Sequence, residues 1–359
     1  MEQISRRQMF LIGAGYTFDA TLISLPAQII GVAKQDAWMT YPLASLLILA
    51  MLWLLSKVSQ RFPDQDLFEA LTHRYRLIGR LIVCSMILFT FLILQRDLRM
   101  FIDFSNIVLL QQTPLSVIGL LMIGVIIPIV ASGIEVLGRV AEIFFVMLAL
   151  VILSLPLVLL KELDLESLLP IFDGGPGHVA KGAWLAFPYL GEMLILPFVF
   201  KSKTFNFRTA AYAQLFGSFL LVILIVYNII VLGVHVSARF MYPNHELTRQ
   251  IRLTDFLDRF DMILVSIWAS AMFTKVAFSV FVICRGIRRC LPTVSEKLLA
   301  SPVTVFALVC SFWFFENSLQ VVNLNHTWPA LALLFQVLFP VLLFFFLRPK
   351  KKTPAHESP

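Results

Sequence analysis

Apolar runs long enough to cross a bilayer recur along nearly the whole chain, and they leave few folds open to it. A helix needs about 20 apolar residues to traverse the hydrocarbon core. Runs of that kind fall at roughly 8–31, 38–58, 79–101, 114–133, 139–160, 179–200, 208–235, 258–283, 302–320 and 328–347, so ten crossings are expected. Composition agrees: 59% of residues are hydrophobic, 14% are charged and 33 are Phe, whereas soluble domains are roughly a quarter charged. A length of 359 residues suggests two domains only for a soluble chain. The expectation is an all-α integral membrane protein, with one transmembrane bundle over 1–347 and a basic tail over 348–359. The first run continues too far, and lacks the small-residue site, for a cleavable signal peptide.

The polar residues report topology. With the N-terminus inside and the connections alternating, nineteen Lys and Arg fall on the cytoplasmic side and nine on the outer side, with Lys275 left within a span. That bias places both termini in the cytoplasm. It also accounts for the net charge of +7 without nucleic acid as a partner; the partner implied is the lipid bilayer. The connection 61–80 reads as an amphipathic surface helix, and 237–255 is the longest outer segment.

Two spans are poor helices in their middles. The first reads GAGYTFDATLISLP over 13–26 and the sixth WLAFPYLGEMLILP over 184–197. Proline removes an N–H and clashes with the preceding turn. Irregular backbone at membrane depth persists only where it is buried in protein or lines a cavity. Gly and Pro are also common as simple kinks in membrane helices. As members one and six of ten, however, the two breaks divide the chain into halves, 1–160 and 161–347, matching a five-plus-five inverted-repeat transporter fold with its site at the breaks. The candidate ligand-binding residues are Tyr16, Thr17, Asp19, Ala20, Thr21 and Ser24 from the first break, and Tyr189, Gly191 and Glu192 from the sixth span.

Asp19, Glu192 and Lys275 lie within spans, where a charge costs roughly 2.5–3.5 kcal/mol and calls for a partner or a wet cavity. These three are the candidates for ion or proton coupling. Lys275 can pair with Asp19, snorkel toward the interface, or stand as a fixed cation in the site. Glu192 can meet a ligand amine, carry a proton, or bond to irregular backbone. Gln95, Arg96, Asp97 and Arg99 fall near the outer end of the third expected span and read as interfacial pairs, as do Asp255, Asp258, Arg259 and Asp261 at the start of the eighth. Glu135, Arg139 and Glu142 have the spacing of a helical ion-pair ladder. Cys84, Cys284, Cys290 and Cys310 show no paired or metal-type spacing and read as free thiols. There is no P-loop, nucleophile elbow or metal-ligand spacing, so no catalytic residue, metal or cofactor is expected.

GIEVLGRVAEIF (133–144) resembles the connection between the fourth and fifth spans of the spore-germination permease family, the B subunits of nutrient germinant receptors within the amino acid–polyamine–organocation superfamily. SLPAQIIGVAKQDAW (24–38), QQTP (111–114), LESLLPIFDGGPGHVAKGAW (165–184), YPNHELTRQI (242–251) and FLDRFDMILVSIW (256–268) fit the same family in order. The resemblance implies a ten-span bundle in the inner spore membrane that recognises a small nutrient, often an amino acid, beside A- and C-type subunits. Many relatives carry Gly-x-Gly in the first break, whose free amides suit a carboxylate. Here the positions read Asp19-Ala20-Thr21, and a carboxylate beside Asp19 is repelled. The expected function is nutrient recognition that signals germination; a proton-coupled amino-acid permease and a ligand-opened channel are the alternatives.

Overall fold

The computed structural model describes residues 4–19, 21, 25–160, 163–250 and 260–349, except for the side chains at 260, 261 and 263. Ala20, Ser24, Asp255, Asp258 and Arg259, the Asp261 side chain and the tail from Lys350 lie outside this set. All regular structure among the described residues is helical.

Eight helices are long and apolar enough to cross a membrane, and Leu115–Ala131 is a shorter apolar one. The first of the eight, Leu25–Gln60, joins two of the expected crossings: Leu25–Ala33 and Thr40–Gln60 meet through a 3₁₀ turn at Lys34–Met39. With Arg6–Phe18 as the first half of span one, the order is that expected from the sequence. Large apolar side chains such as Leu121, Leu150, Trp313 and Phe346 are exposed around the bundle. So wide an apolar surface suits lipid rather than water, and the chain is a multi-pass membrane protein. The sixth span is 94% buried over its apolar window and the eighth 78%, against 28% for the tenth. Spans six and eight are thus the interior, and the tenth faces outward.

The first span ends its leading helix at Phe18, with Asp19 N–H still donating to the Gly15 carbonyl at 2.8 Å. The hydroxyls of Thr17 and Thr21 turn back to the carbonyls of Gly13 and Thr17, at 3.1 and 2.8 Å. Such back-bonding competes with the helical ladder. Pro26 falls in the first turn of Leu25–Ala33, where a missing N–H costs nothing. The sixth span stays helical but changes pitch, running as Pro176–Leu190, a 3₁₀ turn at Gly191–Ile195, then Leu196–Val199. Pro197 has no N–H to offer Met193, whose carbonyl accepts from Leu196 instead. Gly191 leaves room for Gln336 of the tenth span: a Cβ there would lie 2.2 Å from Gln336 Oε1, and the Gln336 side chain would have to shift. Gln336 also donates to the Pro188 carbonyl at 2.7 Å.

The third span differs most from expectation. It runs Arg76–Val108, 33 residues instead of ending near 101, and is about 50 Å long at 1.5 Å per residue. Every residue from Ile93 to Ser105 is buried, so Gln95, Arg96 and Asp97 sit inside the bundle instead of at its rim. Only Leu67–Arg74 of the 61–80 connection forms a separate helix. Asp66 caps it by accepting from Glu69 N–H at 2.8 Å, and also accepts from Arg289 (2.6 Å) and Arg285 (3.2 Å) at the end of the eighth span. Glu142 is engaged by Arg7 at 3.2 Å and by Gln8 at 3.2 Å.

Gly217 of the seventh span sets the spacing to the first span: an added Cβ would lie 2.8 Å from the Ala14 carbonyl oxygen. Gly217→Val should destabilise the fold by about 1–3 kcal/mol through overpacking. Gly124→Ala, where no atom lies within 4 Å, should leave it unchanged. Thermal unfolding of the detergent-purified protein followed by tryptophan fluorescence checks both.

Candidate functional site

Four charged side chains from three spans close into a ring in the middle of the bundle. Arg96 Nη2 lies 2.6 Å from Asp97 Oδ1 and 2.5 Å from Glu192 Oε1. Lys275 Nζ lies 2.6 Å from Glu192 Oε2 and 2.8 Å from Asp97 Oδ2. All four side chains are 0 or 1% exposed. The ring therefore holds two cations and two anions, each bridged to both opposite charges. Isolated charges in apolar surroundings are very costly, and mutual pairing is what makes them tolerable. The 3₁₀ turn at Gly191–Ile195 carries Glu192 and is wholly buried.

Aromatic rings enclose the cations. The Arg96 guanidinium sits 4.3 Å from the Tyr189 ring centre and 5.0 Å from that of Trp328, and Lys275 Nζ lies 5.2 Å from the Tyr16 ring. Cation–π attraction of this kind strengthens when water is excluded. The hydroxyl of Tyr16 is fixed by Ser279 at 2.7 Å, and that of Tyr189 donates to Asn325. Asn325 in turn donates to Gln28 at 2.9 Å. Among the described residues, Arg96 Nη1 and Trp328 Nε1 are buried donors with no hydrogen-bond partner. The cavities bordering the ring hold only about 10 Å³ each, so the site is closed.

The ring brings together only part of the expected set. Tyr16, Tyr189, Glu192 and Lys275 belong to it. Lys275 pairs with Glu192 and Asp97 and makes no ion pair with Asp19 among the described residues. It neither snorkels nor stands alone. Thr17 faces the seventh span, its hydroxyl 3.1 Å from Gln214 Oε1, and Gln214 continues to Ser45 at 3.3 Å. Thr21 is satisfied within its own chain segment. Gly191 acts through the approach of Gln336. Asp19 is 2% exposed, and its Oδ1 has no partner among the described residues. Arg96 and Asp97 are the residues that the expectation of interfacial pairs misplaced. The sequence signal is weak, because 98–108 mixes apolar residues with Arg99, Asp103, Ser105 and Asn106. Arg99 is likewise buried and pairs with Asp103 at 2.9 Å.

The helical architecture is shared with transporters of solved structure. Over 95% of this chain and 77% of the other, it matches Mhp1, a nucleobase-cation-symport-1 family transporter solved in a closed conformation with bromovinylhydantoin bound, at a TM-score of 0.64 and 11% identity. It matches a Na⁺-coupled sialic acid symporter at 0.59 and 14% identity, over 94% and 79% of the two chains. Sequence then narrows the class: the family described as spore germination protein matches residues 3–319, and this chain belongs to it. YfkT of Bacillus subtilis is 32% identical over 350 residues, covering 98% of each chain. Spore germination protein KB of the same organism is 26% identical over 363 residues, covering 98% of this chain and 96% of its own.

Removing one member of the ring leaves an uncompensated buried charge. Lys275→Met alone should cost about 3–5 kcal/mol. The double variant Lys275→Met/Asp97→Asn keeps the Arg96–Glu192 pair neutral and should recover much of that loss. Thermal unfolding of both variants in detergent tests the expectation; equal loss in both would show that charge balance is not what the ring provides.

Proposed function

We propose that this chain recognises a small zwitterionic nutrient, an amino acid or a close analogue, at the Arg96–Asp97–Glu192–Lys275 ring, and that recognition signals spore germination. The observation that carries the reading is the ring's own chemistry: two cations and two anions, with Arg96 Nη1 and Trp328 Nε1 as spare buried donors. A zwitterion brings one charge of each sign. Its carboxylate can take Arg96 and Lys275 while its ammonium takes Asp97 and Glu192, so partners exchange and the interior charge does not change. Charge-assisted bonds of this type discriminate strongly. This placement sets the ligand carboxylate against two cations, one of which, Lys275, also borders the cavity at Asp19 and offsets the conflict posed by Asp19-Ala20-Thr21 in the first break.

Ligand entry into a closed ring requires the spans carrying it to shift, and spans three, six and eight are the ones that do. The eighth span ends in Arg285 and Arg289, which hold Asp66 and the surface helix Leu67–Arg74. Movement at Lys275 is thereby passed to a basic face, which the Lys and Arg bias assigns to the cytoplasm. We place A- and C-type subunits as the readers of that movement, in the inner spore membrane, with the halves 1–160 and 161–347 rocking against each other.

Amino acids added singly to the purified protein should identify a ligand that raises the unfolding midpoint, by about 2.7 kcal/mol of stabilisation at a hundredfold excess over Kd. Lys275→Met/Asp97→Asn should abolish that rise. Spores carrying the chain with its A- and C-type partners should respond to the same ligand. Robust uptake of it into proteoliposomes, driven by a pH gradient and needing no partner, would establish the permease reading instead.

A further inference from the structure

The ring accounts for every charge within it, and one buried carboxyl is left over. Asp19 is 2% exposed and Thr274 is 7% exposed; Asp19 Oδ1 and Thr274 Oγ1 both lack a hydrogen-bond partner among the described residues. The two line one cavity of about 10 Å³ between the first, fifth and eighth spans, together with Gly15, Tyr16 and Lys275. That is room for about one water. The charged groups whose fields reach Asp19 are Lys275 and Asp97. The fifth span presents Ala141 and Phe145 there, neither titratable, and Tyr16 on its own helix is committed to Ser279. The Trp268 indole N–H approaches the Asp19 carbonyl at 3.5 Å.

We infer that Asp19 and Thr274 form a proton-binding site distinct from the ring, occupied by one proton in this closed state. An ionised Asp19 would add a negative charge beside a ring whose own two cations and two anions already cancel, and such a charge is strongly disfavoured. A hard metal cation would neutralise it but takes a shell of about six oxygen ligands. Two unpartnered side-chain oxygens and a nearby ammonium do not supply one. A proton needs no shell. Taken from water, it bonds to Asp19 Oδ1 and turns that oxygen into a donor that reaches the Thr274 hydroxyl through one water in the cavity between them. When the proton leaves, the carboxylate competes with Glu192 and Asp97 for Lys275, the neighbouring cation. The proton on Asp19 thus decides whether the ring keeps Lys275, whatever ligand the ring accepts.

Infrared spectra of the full chain in lipid nanodiscs test the assignment, with no ligand required. At neutral pH the wild type should show the carbonyl stretch of a protonated buried carboxyl. Asp19→Asn, which is isosteric, should lose that band, and Thr274→Val should shift it through loss of the hydrogen-bond partner. Alkaline titration should remove the band together with a change in Trp268 fluorescence that is absent from Asp19→Asn. A band unchanged in both variants, or no such band in wild type at neutral pH, overturns the proposal. A band lost in sodium but kept in potassium and choline buffers assigns the site to a metal cation and also overturns it. Should Asp19→Asn not fold, the Thr274→Val shift and the three-buffer comparison decide the question.

Discussion

The arrangement of the bundle follows from how Arg96, Asp97, Glu192 and Lys275 satisfy one another. Each is a charge that the apolar interior would reject alone, and they become tolerable only at mutual distances of 2.5–2.8 Å. That requirement pins spans three, six and eight to one point. The third span stays helical well past the length of a simple crossing, and Arg96 and Asp97 lie in its buried stretch. The same requirement demands that the sixth span change pitch at Gly191, so that Glu192 faces two cations at once while Gln336 closes from behind. Buried polar networks of this kind contribute less to stability than to uniqueness. Few rotations of these helices can satisfy all four groups together.

A neutral ring can exchange partners at little electrostatic cost, because a zwitterion replaces charges in kind. The same ring would resist a ligand of one sign, which would leave an excess charge in a low-dielectric interior. The helical framework is shared with symporters of low sequence identity, and a shared fold does not by itself fix function. In the signalling we propose, the eighth span carries the message. It carries Lys275 in the ring and Arg285 and Arg289 at the Asp66 cap, on one helix from Phe260 to Cys290.

Much of this fold was legible in the amino-acid order. The apolar runs located the spans because the bilayer imposes a length, and the Gly, Pro and Thr clusters located the irregular segments because backbone chemistry is local. The irregularity itself took a form the residues do not announce: a 3₁₀ turn in the sixth span, set by Pro197 and by the approach of Gln336. Glu192 and Lys275 could be marked from sequence as charges in need of partners, since a lone charge within an apolar run has no local remedy, and the two pair with each other.

Pairing was not legible. Whether Lys275 meets Asp19 or Glu192 depends on helix rotation, which packing across 83 residues decides. Arg96 and Asp97 looked interfacial because their burial depends on where the third span stops, and tertiary contacts of residues 98–105 decide that. Composition and periodicity thus specify that the chain must bury charges inside a membrane bundle. Only the packed helices determine which charges cancel and which one, Asp19, is left to find another partner, because cancellation is a property of distances between segments far apart in the chain.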